Sequence, residues 1–322
     1  MRVVVVGAGS WGTAAACLLR DNDHDVTLAA RDPAQADAIN ETGRNPRYAT
    51  SARLDGIAAA TIDTAPIAEA DLVVVAVPSR VFGEVVAPLP GDAPILSLTK
   101  GLDPATGARL STLVGNRPVA VLSGPNIADE IIRGLPAAAV VASDDLELAV
   151  RVQVAVHSVL FRVYVSDDVA GVELCAAAKN VIALAAGGAD GLSLGDNSKA
   201  ALVARGLAEM RRLAESAGAR PDTFAGLAGM GDLVTTCISP HSRNRYVGEQ
   251  LGLGRSLEDI QAEMTMVAEG VKTAVTAREL AKQHDVPMPV FDEIYKVVSG
   301  QNSADKAYRG LRVRPGHEAE PG

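Results

Sequence analysis

Two patterns in this 322-residue chain are of a kind that does chemistry, and they lie far apart in the sequence. The first is Gly7-Ala8-Gly9-Ser10-Trp11-Gly12, a G-x-G-x-x-G string. After a strand and before a helix, such a string presents backbone N–H groups to a dinucleotide pyrophosphate. Gly7 permits the tight turn, Gly9 lets the main chain approach the ligand, and Gly12 lets the helix pack on the strand. Ser10 and Trp11 are candidate contacts inside the turn; Trp11 either covers the pyrophosphate or packs inward. The second pattern is Lys179, in Glu173-Leu174-Cys175-Ala176-Ala177-Ala178-Lys179-Asn180. A lone lysine among small apolar residues is either a solvated surface group or a partly desolvated amine. In the second case its pKa falls toward neutrality, which suits acid–base work on a carbinol.

The elements that must position these groups follow from the apolar runs. Val3–Val6, Asp25–Ala30, Leu72–Val77, Pro94–Leu98 and Val119–Leu122 read as strands, each nearly continuous in apolar residues. That pattern predicts a parallel sheet covered on both faces. Ala139–Ala142 and Phe161–Val165 are further strands that extend or edge it. The glycine string follows the first strand, opens an apolar helix over Thr13–Arg20, and precedes a second strand, the setting that its binding role requires. From about Asp168 the strands give way to helical stretches at 168–187, 196–217, 256–264, 269–284 and 288–299. The expected fold is α/β, a Rossmann-like doubly wound sheet domain over 1–167 followed by an all-α C-terminal domain over 168–311. The tail 312–322, with two prolines, is expected to be disordered.

The end of the second strand discriminates between dinucleotides. An acidic residue there takes the ribose 2′-hydroxyl, whereas an arginine suits a 2′-phosphate. Arg31 stands at about that position with Asp32 beside it, and Arg44 and Arg47 are near enough in sequence to serve the adenine end. NADP, or use of both NADP and NAD, is favoured.

Composition limits the remaining classes. The chain is 48% hydrophobic and 21% charged, a globular balance, and carries a net charge of −9. Nucleic-acid binding needs clustered cations, so it is not expected; a small anionic substrate is compatible with a locally basic pocket. Cys17, Cys175 and Cys237 form no C-x-x-C pair and read as buried, inert thiols, with no disulfide framework or zinc site. The five histidines share no ligand spacing, so no metal is assigned. No signal peptide is expected ahead of the first strand, and no apolar run is expected to reach the roughly 20 residues of a membrane span. The expected location is the cytoplasm, with a homodimer as an expected assembly of the apolar helical half.

A third block lies downstream. Gly226-Leu227-Ala228-Gly229-Met230-Gly231-Asp232-Leu233-Val234-Thr235-Thr236-Cys237 is followed by Ser239-Pro240-His241-Ser242-Arg243-Asn244. With Glu173–Asn180, Gly7–Thr13, Thr99-Lys100-Gly101, Ser123-Gly124-Pro125, Asp190-Gly191-Leu192, Gly195-Asp196-Asn197 and Val267-Ala268-Glu269-Gly270, it resembles the bacterial NAD(P)-dependent glycerol-3-phosphate dehydrogenases. The matches run in the family's order from residue 2 to about residue 300. The resemblance implies interconversion of dihydroxyacetone phosphate and sn-glycerol 3-phosphate, supplying the latter for phospholipid synthesis. It implies Lys179 as proton acceptor in oxidation and donor in reduction, with Asn180 and Asp232 orienting the amine and the substrate hydroxyls. Arg243 would grip the phosphate, its guanidinium fork meeting two oxygens, with Ser242 and Asn244 as neutral donors. Lys100 would touch substrate and nicotinamide ribose, Gly124 and Ala128 would line the nicotinamide side, and Val267 and Glu269 would complete the cofactor contacts. Cys175, Ala176 and Ala178 stand where the family more often has Gly, Gly and Leu. Asn126 stands where Ser or Thr is commoner, at a position that can contact substrate. A 2-hydroxyacid or ketopantoate-type reductase is the alternative enzyme, but it leaves the Asp232–Cys237 and Ser242–Asn244 blocks unexplained. A non-catalytic redox sensor should have lost Lys179 or Arg243.

Overall fold

The computed structural model describes residues 1–264 and 267–311, and the tail from Arg312 lies outside them. The chain divides into two compact units, Met1–Thr99 with Leu110–Val172, and Lys100–Arg109 with Glu173 onward.

Unit 1 alternates strands and helices: β1 (Arg2–Val6), α1 (Ser10–Asp21), β2 (Asp25–Ala30), α2 (Pro33–Thr42), β3 (Ala58–Thr61), β4 (Leu72–Val75), α3 (Phe82–Val86), β5 (Ile95–Ser97), β6 (Val119–Ser123), α4 (Ala128–Ile132), β7 (Ala137–Ala142), α5 (Leu146–Val156) and β8 (Phe161–Ser166). Among the described residues these strands form one sheet in the order β3-β2-β1-β4-β5-β6-β7-β8. Val3 and Val5 pack into a core shared with α1, whereas Val4 and Val6 pack with Phe82 and Val86 on the other face. Burial on both faces is why the strand runs are apolar throughout rather than alternating. The order reverses between β1 and β4, so the turn after β1 sits at the switch point where such sheets bind ligands. Two features depart from expectation. β7 runs antiparallel to β6, and β3, Ala-Ala-Ala-Thr, is an edge strand whose composition carries little strand signal.

Unit 2 is helical. It contains most of α6 (Val169–Gly191), then α7 (Gly195–Ser216), α8 (Pro221–Ala225), a π-helical turn at Leu227–Gly231, α9 (Asp232–Ile238), α10 (Arg243–Gly252), α11 (Leu257–Glu263), α12 (Glu269–Gln283), α13 (Pro289–Val298) and α14 (Ala304–Gly310). The short helices α8, α9 and α14 escaped the periodicity reading because one or two turns present too few repeats, and α10, of ten residues, was read only as a motif. The small residues of α6 have a packing purpose. A Cβ added at Gly187 would overlap the Arg245 carbonyl, and one at Gly248 would overlap that of Leu184, so α6 and α10 touch backbone to backbone. Asp190 locks this crossing, accepting from Lys199 Nζ at 2.9 Å and Arg245 Nε at 2.8 Å.

One expectation is corrected here. Val169–Gly191 is a 23-residue helix containing an 18-residue stretch with a mean hydropathy of 1.6, long and apolar enough to cross a membrane, but 89% of that stretch is buried inside the protein. Its apolarity reflects helix packing from several sides, and its two central charged residues are paired: Glu173 with Arg109, and Lys179 with Asp232.

Candidate functional site: a glycine turn and a buried lysine–aspartate cluster

In unit 1 the chain leaves β1 through Gly7 at φ +113°, a conformation that disfavours side chains. A Cβ there would lie 2.5 Å from the Ala76 carbonyl oxygen, and one on Gly12 would overlap the Gly7 carbonyl. These two glycines are therefore demanded by the fold. Gly9 is different: a Cβ on it would meet nothing within 4 Å. The space above Gly9 is open at the N-terminus of α1, whose first N–H groups have no side-chain cap from that residue. This cradle fits a pyrophosphate. Two side chains not anticipated from the sequence brace it. Asn45 Nδ2 donates to the Ala8 carbonyl at 3.0 Å and to Thr13 Oγ1 at 2.9 Å, and Gln35 Nε2 donates to the same carbonyl at 2.9 Å. Ser10 begins α1. Trp11 packs against the unit 1 core, its ring centroid 6.3 Å from that of Phe161.

Arg31 follows β2 and is exposed, as is Asp32, whose carboxylate caps α2 by accepting from the Ala34 N–H at 3.0 Å. The acidic residue is thus occupied locally while the guanidinium faces solvent. Arg44 bonds the Thr50 carbonyl and Arg47 lies over the Tyr48 ring. At the end of β6, Gly124 has φ +152°, and a Cβ there would lie 2.7 Å from the Ala138 oxygen. Asn126 and Ala128 follow, both half-buried.

In unit 2 the π-helical turn delivers Asp232 against α6. Lys179 Nζ donates to Asp232 Oδ1 and, at 3.0 Å, to Thr236 Oγ1. Lys100 Nζ donates to the other carboxylate oxygen at 2.8 Å. Relative exposure of the side chain is 5% for Lys179, 3% for Asp232 and 19% for Lys100. Burial pushes the Lys179 amine down to about 7; Asp232 opposes this, while the neighbouring Lys100 cation reinforces it. Burial would raise the Asp232 carboxyl, but Lys100 and Lys179 outweigh it and hold it below its ordinary value. One carboxylate between two lysines is thus kept ionised while one amine is brought within reach of both protonation states. Thr236, missed in the sequence reading, donates to the Asp232 carbonyl at 2.6 Å and so offers its lone pairs to Lys179. Its sequence signals were its place in the Gly226–Cys237 block and its i, i+4 spacing from Asp232.

A second cluster gathers beside it on α6, α10 and α12. Asn244 Nδ2 donates to Asn180 Oδ1 at 2.9 Å, and Asn244 Oδ1 accepts the Gly270 N–H at 2.9 Å. Arg243, exposed at the first turn of α10, donates to the Val267 carbonyl at 2.8 Å. Ser242 caps α10, its Oγ accepting the Arg245 N–H at 3.2 Å. Glu269 is the first residue of α12. Lys100, Lys179 and Asp232 therefore meet in one place, and Asn180, Arg243, Asn244, Val267 and Glu269 lie along adjoining elements of the same unit. Gly7, Gly9, Ser10, Trp11, Gly12, Arg31, Gly124, Asn126 and Ala128 belong to unit 1. All three cysteines are buried; burial raises Cys17 to about 11 and Cys237 to about 12, which leaves them as protonated packing groups. Among the described residues no group of three or more His, Cys, Asp or Glu could hold a metal ion.

A doubly wound sheet with a glycine turn after its first strand, joined to a helical unit built round a buried amine, is the plan of a nicotinamide-dependent oxidoreductase. The chain belongs to the NAD-dependent glycerol-3-phosphate dehydrogenase family, whose N-terminal model matches residues 2–149 and whose C-terminal model matches residues 168–309. It is 45% identical to the NAD(P)+ glycerol-3-phosphate dehydrogenase 2 of Sphingopyxis alaskensis, over 100% of this chain and 99% of that one. The crystal structure of glycerol-3-phosphate dehydrogenase from Coxiella burnetii superposes with a TM-score of 0.93 at 35% identity, covering 97% of this chain and 99% of that one. A ketopantoate reductase from Ralstonia eutropha shares the fold alone, with a TM-score of 0.59 at 19% identity over 95% of this chain and 99% of that one.

Proposed function

We propose that the protein interconverts dihydroxyacetone phosphate and sn-glycerol 3-phosphate with NAD(P)H and NAD(P)+, and that Lys179 is its acid–base group. The observation that carries this reading is the buried Lys179–Asp232–Lys100 cluster. The nicotinamide, when bound, supplies the hydride that reduces C2. Lys179 gives its proton to the C2 oxygen in reduction and takes it back in oxidation. Two of its N–H directions are committed to Asp232 and Thr236, and the third is left to serve the reacting oxygen. Lys100 adds positive charge where the alkoxide develops, and Asp232 holds both amines in place.

The substrate phosphate is assigned to the N-terminus of α10, where Arg243, Ser242 and Asn244 combine a guanidinium, neutral donors and the positive end of a 10-residue helix. Asn180 fixes Asn244, and Asn126 and Gly124 are further substrate-side positions. Gly7, Gly9, Ser10 and Gly12 are assigned to the pyrophosphate, Arg31 to a 2′-phosphate, and Ala128, Val267 and Glu269 to the rest of the cofactor. The exposed Arg31 beside a capped Asp32 favours NADP. Physiologically the product would feed phospholipid synthesis in the cytoplasm, a reducing compartment that suits three buried thiols. A homodimer finds its support on unit 1, where Leu146, Val150 and Val154 make an exposed stripe along α5.

The test is oxidation of NADH and NADPH with dihydroxyacetone phosphate, comparing wild type with Lys179→Ala and Arg243→Ala. Lys179→Ala should lower kcat about 10²–10⁴-fold, whereas Arg243→Ala should mainly raise KM. The reverse split would overturn the role assignment. A wild type silent toward this substrate but active on ketopantoate would overturn the function.

A further inference from the structure

Lys100 reaches Asp232 from a loop, and a loop lysine needs something to hold it there. The segment Lys100–Arg109 packs with the helical unit and is closed into a hairpin. Leu102 and Arg109 form an antiparallel bridge. The Asp103 N–H donates to the Ala108 carbonyl at 2.9 Å, the Gly107 N–H donates to the Asp103 carbonyl at 2.8 Å, and Thr106 Oγ1 donates to the Asp103 carboxylate at 2.6 Å. Leu102 is buried. Both ends of this hairpin are tied to α6 or its partner by charge. Lys100 pairs with Asp232 at one end, and at the other the Arg109 guanidinium lies 3.5 Å from the Glu173 carboxylate. Glu173 has a side-chain exposure of 6%, six residues before Lys179 on the same helix. A carboxylate so buried on an otherwise apolar helix is costly unless a cation meets it. Nothing in the proposed chemistry uses it.

We propose that Arg109 and Glu173 are positioning residues for Lys100, the ion pair fixing the 100–109 hairpin on α6 so that the Lys100 ammonium stays on Asp232. The two lysine contacts of Asp232 then have different origins. Lys179 is placed by its own helix, and Lys100 by a hairpin that a remote ion pair secures. Loss of the pair frees the hairpin, and Lys100 spends less time on Asp232. This inference rests on the reading of Lys100 and Lys179 given above.

The groups facing Lys179 are Asp232, Thr236 and Cys237 from the 227–238 segment and Lys100 from the hairpin. Withdrawing Lys100 removes the one cation among them, so the Lys179 amine holds its proton to higher pH. The experiment uses the full chain and dihydroxyacetone phosphate with NADPH, with kcat measured against pH for wild type, Arg109→Gln, Glu173→Gln, Lys100→Gln and the double variant Arg109→Gln/Lys100→Gln. Arg109→Gln and Glu173→Gln should each lower kcat/KM by about ten- to a hundredfold, the loss expected when a group is misplaced by about an ångström. Both should shift the pH profile to the alkaline side in the same sense as Lys100→Gln. In the Lys100→Gln background, Arg109→Gln should add almost nothing; in the otherwise wild-type chain, Arg109→Lys should keep part of the activity that Arg109→Gln loses. Multiplying losses in the double variant, or an unmoved pH profile, would overturn the proposal even if melting temperatures fall. Should Arg109→Gln fail to fold, Glu173→Gln alone and in the Lys100→Gln background carries the same comparison. A wild type inactive toward dihydroxyacetone phosphate would instead strike the functional reading.

Discussion

The glycine turn of unit 1 and the lysine–aspartate cluster of unit 2 solve opposite problems. At the turn, function comes from what is missing. Gly7 and Gly12 have no side chains because carbonyls occupy the space, and Gly9 has none where the space is open. In the cluster, function comes from charges placed where water is excluded. Lys179 and Asp232 are buried together, and each amine is defined by its neighbours. The turn is set by sterics over six residues and tolerates no added atoms at Gly7 or Gly12. The cluster is set by electrostatics across 132 residues between Lys100 and Asp232, and tolerates no lost charge.

This contrast can be broken by substitution. The largest effect should come from Asp232→Asn, which leaves two lysines facing a neutral amide. Removing one partner from a buried charge pair costs about 3–5 kcal/mol. Urea unfolding should show that loss, and kcat should fall by orders of magnitude. A fall in activity with stability unchanged would mean that the carboxylate serves chemistry alone.

Next comes a paired test at the turn. Gly12→Ala should lower the melting temperature by several degrees and abolish cofactor binding, because α1 must move off the Gly7 carbonyl. Gly9→Ala should melt like wild type and yet bind NADPH more weakly, by about tenfold or more in titration calorimetry. Equal melting losses for the two would refute the distinction between a fold glycine and a ligand glycine.

A third prediction sharpens the electrostatic side. Lys179, near 7, is neutral at higher pH, so kcat for oxidation should rise through about pH 7 and kcat for reduction should fall. Stability should carry the same signature. The folded amine releases its proton near 7 while the unfolded one holds it to about 10.5, so the unfolded state binds more protons in that window and stability climbs with pH across it. Lys179→Met should flatten that slope; an unchanged slope would place the titration elsewhere. The smallest effect is expected at Arg31. Arg31→Ala should raise KM for NADPH several-fold while leaving KM for NADH nearly unchanged, and equal changes for both would remove Arg31 from the 2′-phosphate.

Much of unit 1 was legible because its signals are local. Apolar runs marked β1, β2, β4, β5 and β6, and the glycine spacing marked the turn. β3 was not legible, since three alanines and a threonine carry little strand preference and its pairing with β2 is decided by the sheet. Nor was the bracing by Asn45 and Gln35, whose target is a backbone carbonyl in a different element. In unit 2 the long helices were visible by periodicity, while α10, which presents Arg243 and Asn244, was seen only as a motif. Lys179 could not be resolved between a surface lysine and a buried amine from its neighbours, because alanines surround both kinds.

The doubly wound sheet, the dinucleotide turn and the residue types available for acid–base work could all be read from the residues alone, since their signals lie among near neighbours in the chain. Packing was needed to show that Lys179 is buried, that Trp11 turns inward, that Asp232 stands between two lysines and that a hairpin brings Lys100 to it. Those outcomes depend on desolvation and on charge separations of a few ångströms. Chain order fixes neither until the helices have packed.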